Sequence, residues 1–93
     1  MDENKIIITV SGADKVGIVA SITAVLAKVK VNIEDIKQTL MQGHFVMFML
    51  CDIENSNKSF SDFQNLLKEE LRELGMEVWI QRKEIFDCMH NIG

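Results

Sequence analysis

Ile6-Ile7-Ile8-Thr9-Val10-Ser11-Gly12-Ala13-Asp14-Lys15-Val16-Gly17-Ile18-Val19 decides the fold of this 93-residue chain, because the hydrophobic period changes within it. Ile6, Ile8 and Val10 alternate with Ile7, Thr9 and Ser11, the period-two pattern of a strand with an apolar face. From Val16 the period is that of a helix. Val19, Ile22, Leu26 and Val29 form one stripe, widened by Ile18 and Val25, while Ser21, Thr23, Lys28 and Lys30 fall largely outside it. The junction, Gly12 to Ile18, presents the first N–H groups of a helix, which lack partners within it and sit at the positive end of its dipole. Asp14 is the candidate N-cap, and Gly17 lets another group approach the backbone closely. Two readings stand side by side: a capped helix start that binds nothing, and a corner that holds a carboxylate or phosphate.

Downstream, a second strand is predicted over about Val31 to Met41, and Gln42-Gly43-His44 breaks the pattern as a tight turn does. Phe45 to Ile53 is nearly unbroken apolar sequence, with Val46, Phe48 and Leu50 on one face and Met47, Met49 and Cys51 on the other. This reads as a strand buried on both sides. After the polar stretch Glu54 to Lys58, Ser59 and Asp62 make a capping-box-like start. Phe60, Phe63, Leu67, Leu71 and Leu74 then recur at helical spacing until Gly75. Met76 to about Lys83 supplies a fourth strand, with Val78 and Ile80 on one side and Trp79 and Gln81 on the other. In Glu84 to Ile92, Ile85, Met89 and Ile92 are spaced as in a short helix folding back onto the domain. The order β-α-β-β-α-β with right-handed crossovers predicts an α+β, ferredoxin-like sandwich: a four-stranded antiparallel sheet, two helices on one face, and a short C-terminal helical segment.

Length and composition suit one domain over residues 1–93: 47% hydrophobic and 26% charged residues, with no proline and no low-complexity segment. A domain this short buries only about 60–65% of its unfolded surface, so a second copy is a natural source of stability. Fourteen acidic against ten basic residues, a net charge of −4, argue against a phosphate-neutralising surface and so against nucleic acid. No stretch approaches the roughly 18 apolar residues that span a bilayer, and Met1-Asp2-Glu3-Asn4-Lys5 is acidic where a signal peptide is basic. The expected location is the cytoplasm, with no membrane association. Cys51 and Cys88 are too few and too far apart for a disulfide framework and are read as reduced thiols.

Helices of such a sandwich cover one sheet face only, yet the third strand is apolar on both, and Trp79 and Phe86 add bulk to the uncovered side. The C-terminal segment, a second subunit, or both must cover it.

A ferredoxin-like topology hosts many functions, so the choice rests on residues. Gly12 to Gly17 has no arginine for an acylphosphatase cradle and no Cys-x-x-Cys pair for a heavy-metal carrier. Ile6 to Val10 carries neither the aromatics nor the basic residues of an RNA-recognition sheet, and Phe45 and Phe48 lie in an uncharged run. What does agree is Thr9 to Val19 followed by Val31-Asn32-Ile33-Glu34-Asp35-Ile36, which resembles the ACT domain, a small regulatory module that binds amino acids. Gln38-Thr39-Leu40-Met41, Phe45-Val46-Met47-Phe48-Met49-Leu50 and Arg82 to His90 resemble the free-standing ACT proteins of the UPF0237 family and, more distantly, the glycine-cleavage regulators.

The resemblance implies that two copies pair edge to edge, first helices and second strands at the seam, with an amino acid between one copy's first loop and the other's second strand. On this sequence the ligand-binding set would be Ser11, Asp14, Lys15, Val16, Gly17 and Ile18 from the loop, with Asn32 and Ile33 from the strand. N–H groups near Val16, Gly17 and Ile18 can receive a carboxylate, and Asp14 or Asn32 can accept from an ammonium. Asn32 also reads as an ordinary turn residue, and Lys15 as a solvated one. The implied function is a non-enzymatic homodimeric, or tetrameric, sensor that passes occupancy to a protein partner not visible in the sequence. The alternative is a ligand-free interaction or dimerisation module.

No cofactor is expected. His90 and Cys88, two apart on a helix, fall on different faces, and with His44 distant no metal set assembles. Asp87 and His90 are three apart, but no nucleophile accompanies them, so no catalytic residue is assigned. Met41, Met47, Met49 and Met89 read as core filler.

Overall fold

A computed structural model of the chain describes residues 4–13 and 16–90, the last two by backbone alone. The elements run β1 (Lys5–Ala13), α1 (Ile18–Lys28), β2 (Asn32–Met41), β3 (His44–Asp52), α2 (Phe60–Arg72), β4 (Glu77–Arg82) and α3 (Lys83–His90). The strands form one antiparallel sheet in the order β2-β3-β1-β4, the α+β arrangement expected from the sequence. β1 and β2 run in the same direction with β3 between them, because α1 carries the chain back before β2 begins.

Alternation sorts the sheet into two faces. Ile6, Ile8 and Val10 of β1 and Met47, Met49 and Cys51 of β3 are fully buried against Ile22 and Leu26 of α1 and Phe63, Leu67 and Leu71 of α2. Removing each such side chain from water contributes about 1.5–3 kcal/mol. The register sets Trp79 opposite Thr9, Thr9 opposite Phe48 and Phe48 opposite Lys37 on the other face. α3 returns over that face toward β1 and β4, and Phe86 meets Phe48 edge-on at 6.4 Å between ring centroids.

Local chemistry places the helix ends. Ser59 caps α2, its hydroxyl accepting from the Asp62 N–H at 3.2 Å, as the capping-box pattern predicts. α2 closes with Met76 N–H donating to Leu71 O and Gly75 N–H to Arg72 O around Gly75 at φ 74, a Schellman motif. α1 ends the same way, through Val31 to Leu26 and Lys30 to Ala27, but with a lysine at φ 60 where glycine would be unstrained. Gln42 and Gly43, both at positive φ, make the two-residue hairpin turn between β2 and β3.

Several expectations need correction. β1 continues through Ser11, Gly12 and Ala13, and α1 starts at Ile18, so the connection is shorter than Gly12 to Ile18. The N-cap is Gly17, at φ 87 and without a side-chain cap, rather than Asp14. β3 is not buried on both sides: Phe48 is 42% exposed, because α3 lies toward β1 and β4. Val19 faces outward, and Met41 is an exposed residue of the hairpin end rather than core filler. Met47 and Met49 are core. The final helix is Lys83–His90; Ile92 and the side chains of Met89 and His90 lie outside the described residues.

Candidate functional site

The β1–α1 corner is built from a strand end, a tight turn and a helix start. Gly12 lies against the end of α2, where an added Cβ would stand 2.6 Å from Met76 Sδ and 3.2 Å from Gly75 O. That close approach is why glycine occurs here in an otherwise β-branched strand. Val16 is fully exposed in the turn, and Gly17 opens the helix in a left-handed conformation where an added Cβ would meet nothing within 4 Å among the described residues. The first bond within α1 runs from the Ser21 N–H to Gly17 O, at 2.9 Å. The amides of Ile18, Val19 and Ala20 therefore have no partner within the helix. No acidic residue occupies the first turn of α1 to offset its positive end. Ile18 is core, so only its backbone is offered at this corner. Asp14 and Lys15 lie outside the described residues.

Ser11 is half-buried and faces the other side of the sheet, where its Oγ is 2.8 Å from His44 Nε2. Sequence reasoning set His44 aside as remote. The two-residue turn pairs Met41 with His44, and the β1–β3 register then pairs Ala13 with His44, carrying the imidazole to the corner. The signal was in the turn length, but it acts only once β1 and β3 are known to be neighbours.

Asn32 and Ile33 lie at the opposite end of the sheet. Asn32 is exposed at the first position of β2, opposite Asp52, whose other neighbour in register is Lys5. β1 spans nine residues, so about 27 Å of strand separates that end from Ala13. Within one protomer Val16, Gly17 and Ile18 lie at one end of the sheet, with Ser11 at the same end but on the other face, and Asn32 and Ile33 lie at the opposite end. A bulge falls between Ile33 and Asp35, and Glu34 there pairs with Lys5, which also reaches Asp52 Oδ2 at 3.2 Å. The Glu54 N–H donates to Asp52 Oδ1 at 2.8 Å and, with Lys5, holds the Asp52 carboxyl below its ordinary range despite partial desolvation. The Glu34 carboxylate, with help from Asp52, raises the Lys5 ammonium.

β2 is a ten-residue edge strand, exposed along almost all its length, carrying Ile36, Leu40 and Met41 at 38%, 58% and 68% exposure. Such an edge is a row of unpaired backbone groups that natural proteins ordinarily cover. Val16 and Val19 add apolar surface at the start of α1. Cys51 is no nucleophile: burial, then the nearby Glu34 charge, push its thiol up to about 12. Cys88 is exposed and free. Among the described residues no three His, Cys, Asp or Glu side chains gather as a metal would require, and no helix is long and apolar enough to cross a membrane.

Residues 4–81 match the family model of the ACT domain. A UPF0237 protein of Methanosarcina acetivorans is 47% identical over 99% of this chain and 100% of its own length. An ACT domain protein from Streptococcus pneumoniae superposes with TM-score 0.77 at 34% identity, covering 89% of this chain and 93% of that one. A putative glycine cleavage system transcriptional repressor shares the fold, with TM-score 0.74 at 20% identity, this chain covering 84% of its own length and 44% of the other's. The chain belongs to the ACT domain family, and its relatives of matching length are UPF0237 proteins.

Proposed function

We propose that this protein is a single non-enzymatic ACT domain of the cytoplasm that binds a small amino acid at the seam of a homodimer and passes the occupancy to a partner protein. The observation that carries the reading is the split of the candidate set across the two ends of the sheet, combined with an uncovered β2 edge. Antiparallel pairing of β2 with the β2 of a second copy sets each copy's Asn32 beside the other's hairpin end, next to Ala13 and His44. The two half-sites then meet twice, once on each side of the twofold axis. There the amides at the start of α1, which have no partner within the helix, receive a carboxylate, and Asn32 with Asp14 accepts from an ammonium. Val16 and Gly17 frame the same space and Ile18 offers its backbone there, Ser11 stands on the opposite sheet face beside His44, and Lys15 and Ile33 complete the set read from the sequence.

Calorimetry against the twenty amino acids, with light scattering for the oligomer, tests this directly. Asn32→Ala and Asp14→Ala should each abolish binding and leave the dimer intact. Mixing and refolding the two variants together should recover binding in heterodimers, because one of the two sites along their seam then carries a native loop and a native Asn32. A monomer, no binding at millimolar concentrations, or no recovery on mixing would sink the reading. A second reading, a ligand-free docking module, draws on Trp79 and Phe48, which remain 49% and 42% exposed on the face that α3 only partly covers.

A further inference from the structure

A cavity of about 330 Å³ opens between α3 and the β2–β3 half of the sheet, on the face away from α1 and α2. Its walls are Ile7, Phe48, Leu50 and Phe86, and its rim carries Asp35 and Lys37. We propose that it is a second binding site, for a small carboxylate with one aromatic ring or branched aliphatic chain.

Three observations converge on that class. The walls are apolar, and the T-shaped contact with Phe86 leaves Phe48 42% exposed, so a flat or branched body gains contact with both rings. The volume sits at the lower end of the roughly 300–1,000 Å³ typical of small-molecule pockets, which suits one ring rather than a nucleotide or a folded segment. The rim charges are unequal in their engagement. Asp35 Oδ1 accepts from the Ile36 N–H at 2.9 Å, whereas the Lys37 ammonium has no hydrogen bond or ion pair among the described residues. A ligand carboxylate supplies what Lys37 lacks, and the adjacent Asp35 disfavours ligands carrying several negative charges.

The site shares no residue with the amino-acid-binding set proposed above; Asp35 and Lys37 belong to the β2 edge strand but sit on the sheet face with Leu50 and Phe48, so the site stands whether or not that edge is paired. The full chain would be titrated with 3-phenylpropionate, followed by calorimetry and by backbone amide shifts. Binding is expected with Kd on the order of 1 mM, usual for so small a ligand, and with shifts at Ile7, Phe48, Leu50 and Phe86. The neutral 3-phenylpropanamide should bind about fivefold more weakly, and Lys37→Gln should weaken the acid by a similar factor without changing its response to the amide. Leu50→Trp fills the cavity and should remove binding; if that variant fails to fold, the amide comparison and the exposed Lys37→Gln still decide. Asn32→Ala should change nothing. Shifts mapping to Ser11, Gly17 and Asn32, equal binding of acid and amide, or no response up to about 10 mM would overturn the proposal.

Discussion

Gly12→Ala should destabilise the protein through one identifiable contact. The new methyl would stand 2.6 Å from Met76 Sδ and 3.4 Å from its Cε, with Gly75 O at 3.2 Å. Met76 is 6% exposed, so it must re-rotate inside a packed environment, and overpacking of this kind costs about 1–3 kcal/mol. Against that, replacing a strand glycine at ordinary φ returns about 0.4–1 kcal/mol by narrowing the unfolded ensemble. The net loss is then about 1–2 kcal/mol. Met76→Ala alone should cost about 2–5 kcal/mol as a large-to-small core change. In that background the sulfur is gone, only the contact with Gly75 O remains tight, and Gly12→Ala should become neutral or stabilising by up to about 1 kcal/mol. Guanidinium unfolding followed by circular dichroism, at one protein concentration because association would add its own stability, completes the four-member cycle. Gly17→Ala is the control: it has φ 87 and an added Cβ would meet nothing within 4 Å among the described residues, so its cost of about 1–2 kcal/mol should be independent of Met76. If Gly12→Ala costs the same whether or not Met76 is present, the packing argument for this glycine is wrong.

Three further outcomes are expected. Lys30→Gly should raise stability by about 0.5–1 kcal/mol in the same assay, because glycine relieves the left-handed strain at φ 60 while surrendering some unfolded-state entropy. Alkylation by iodoacetamide at pH 8 should label Cys88 rapidly and leave the buried Cys51, with its thiol pushed up to about 12, unmodified until denaturant is added. Asp52 is ionised more readily folded than unfolded, so its contribution is present above about pH 4 and is lost as pH falls through its lowered folded value. Acid unfolding of Asp52→Asn should therefore show a shallower slope below about pH 4 than the parent; an unchanged slope would remove Asp52 from the account.

The elements were legible because period and punctuation agreed. Ser59 with Asp62 and Gly75 marked both ends of α2, and Gln42-Gly43 marked the hairpin, each through residues whose chemistry acts within a few positions. The start of α1 was misread for the converse reason. Asp14 has the side chain of an N-cap, but β1 keeps pairing with β3 through Gly12↔Phe45 and Ala13↔His44, which moves the turn and the cap to Gly17. A strand pairing across some thirty residues thus overrode a local capping preference. Exposure of Phe48 was hidden similarly, since it depends on where α3 lies rather than on the apolar run containing it.

The candidate site was legible as a list of residues and illegible as a place. Gly12 to Ile18 and Asn32 are close in sequence, and the eleven residues of α1 rise only about 16 Å, yet that helix returns the chain along the sheet before β2 begins. In any unit where two parallel strands are joined by one helix, the end of the first strand and the start of the second lie at opposite ends of the sheet. Side chains alone cannot overcome that separation, because no residue spans about 27 Å. A second copy does, provided it pairs in the antiparallel sense on β2, the one of the two edge strands that carries Asn32. Cooperation between Gly12 to Ile18 and Asn32 is therefore a statement about quaternary structure. It stands or falls with the dimer rather than with the chemistry of either half.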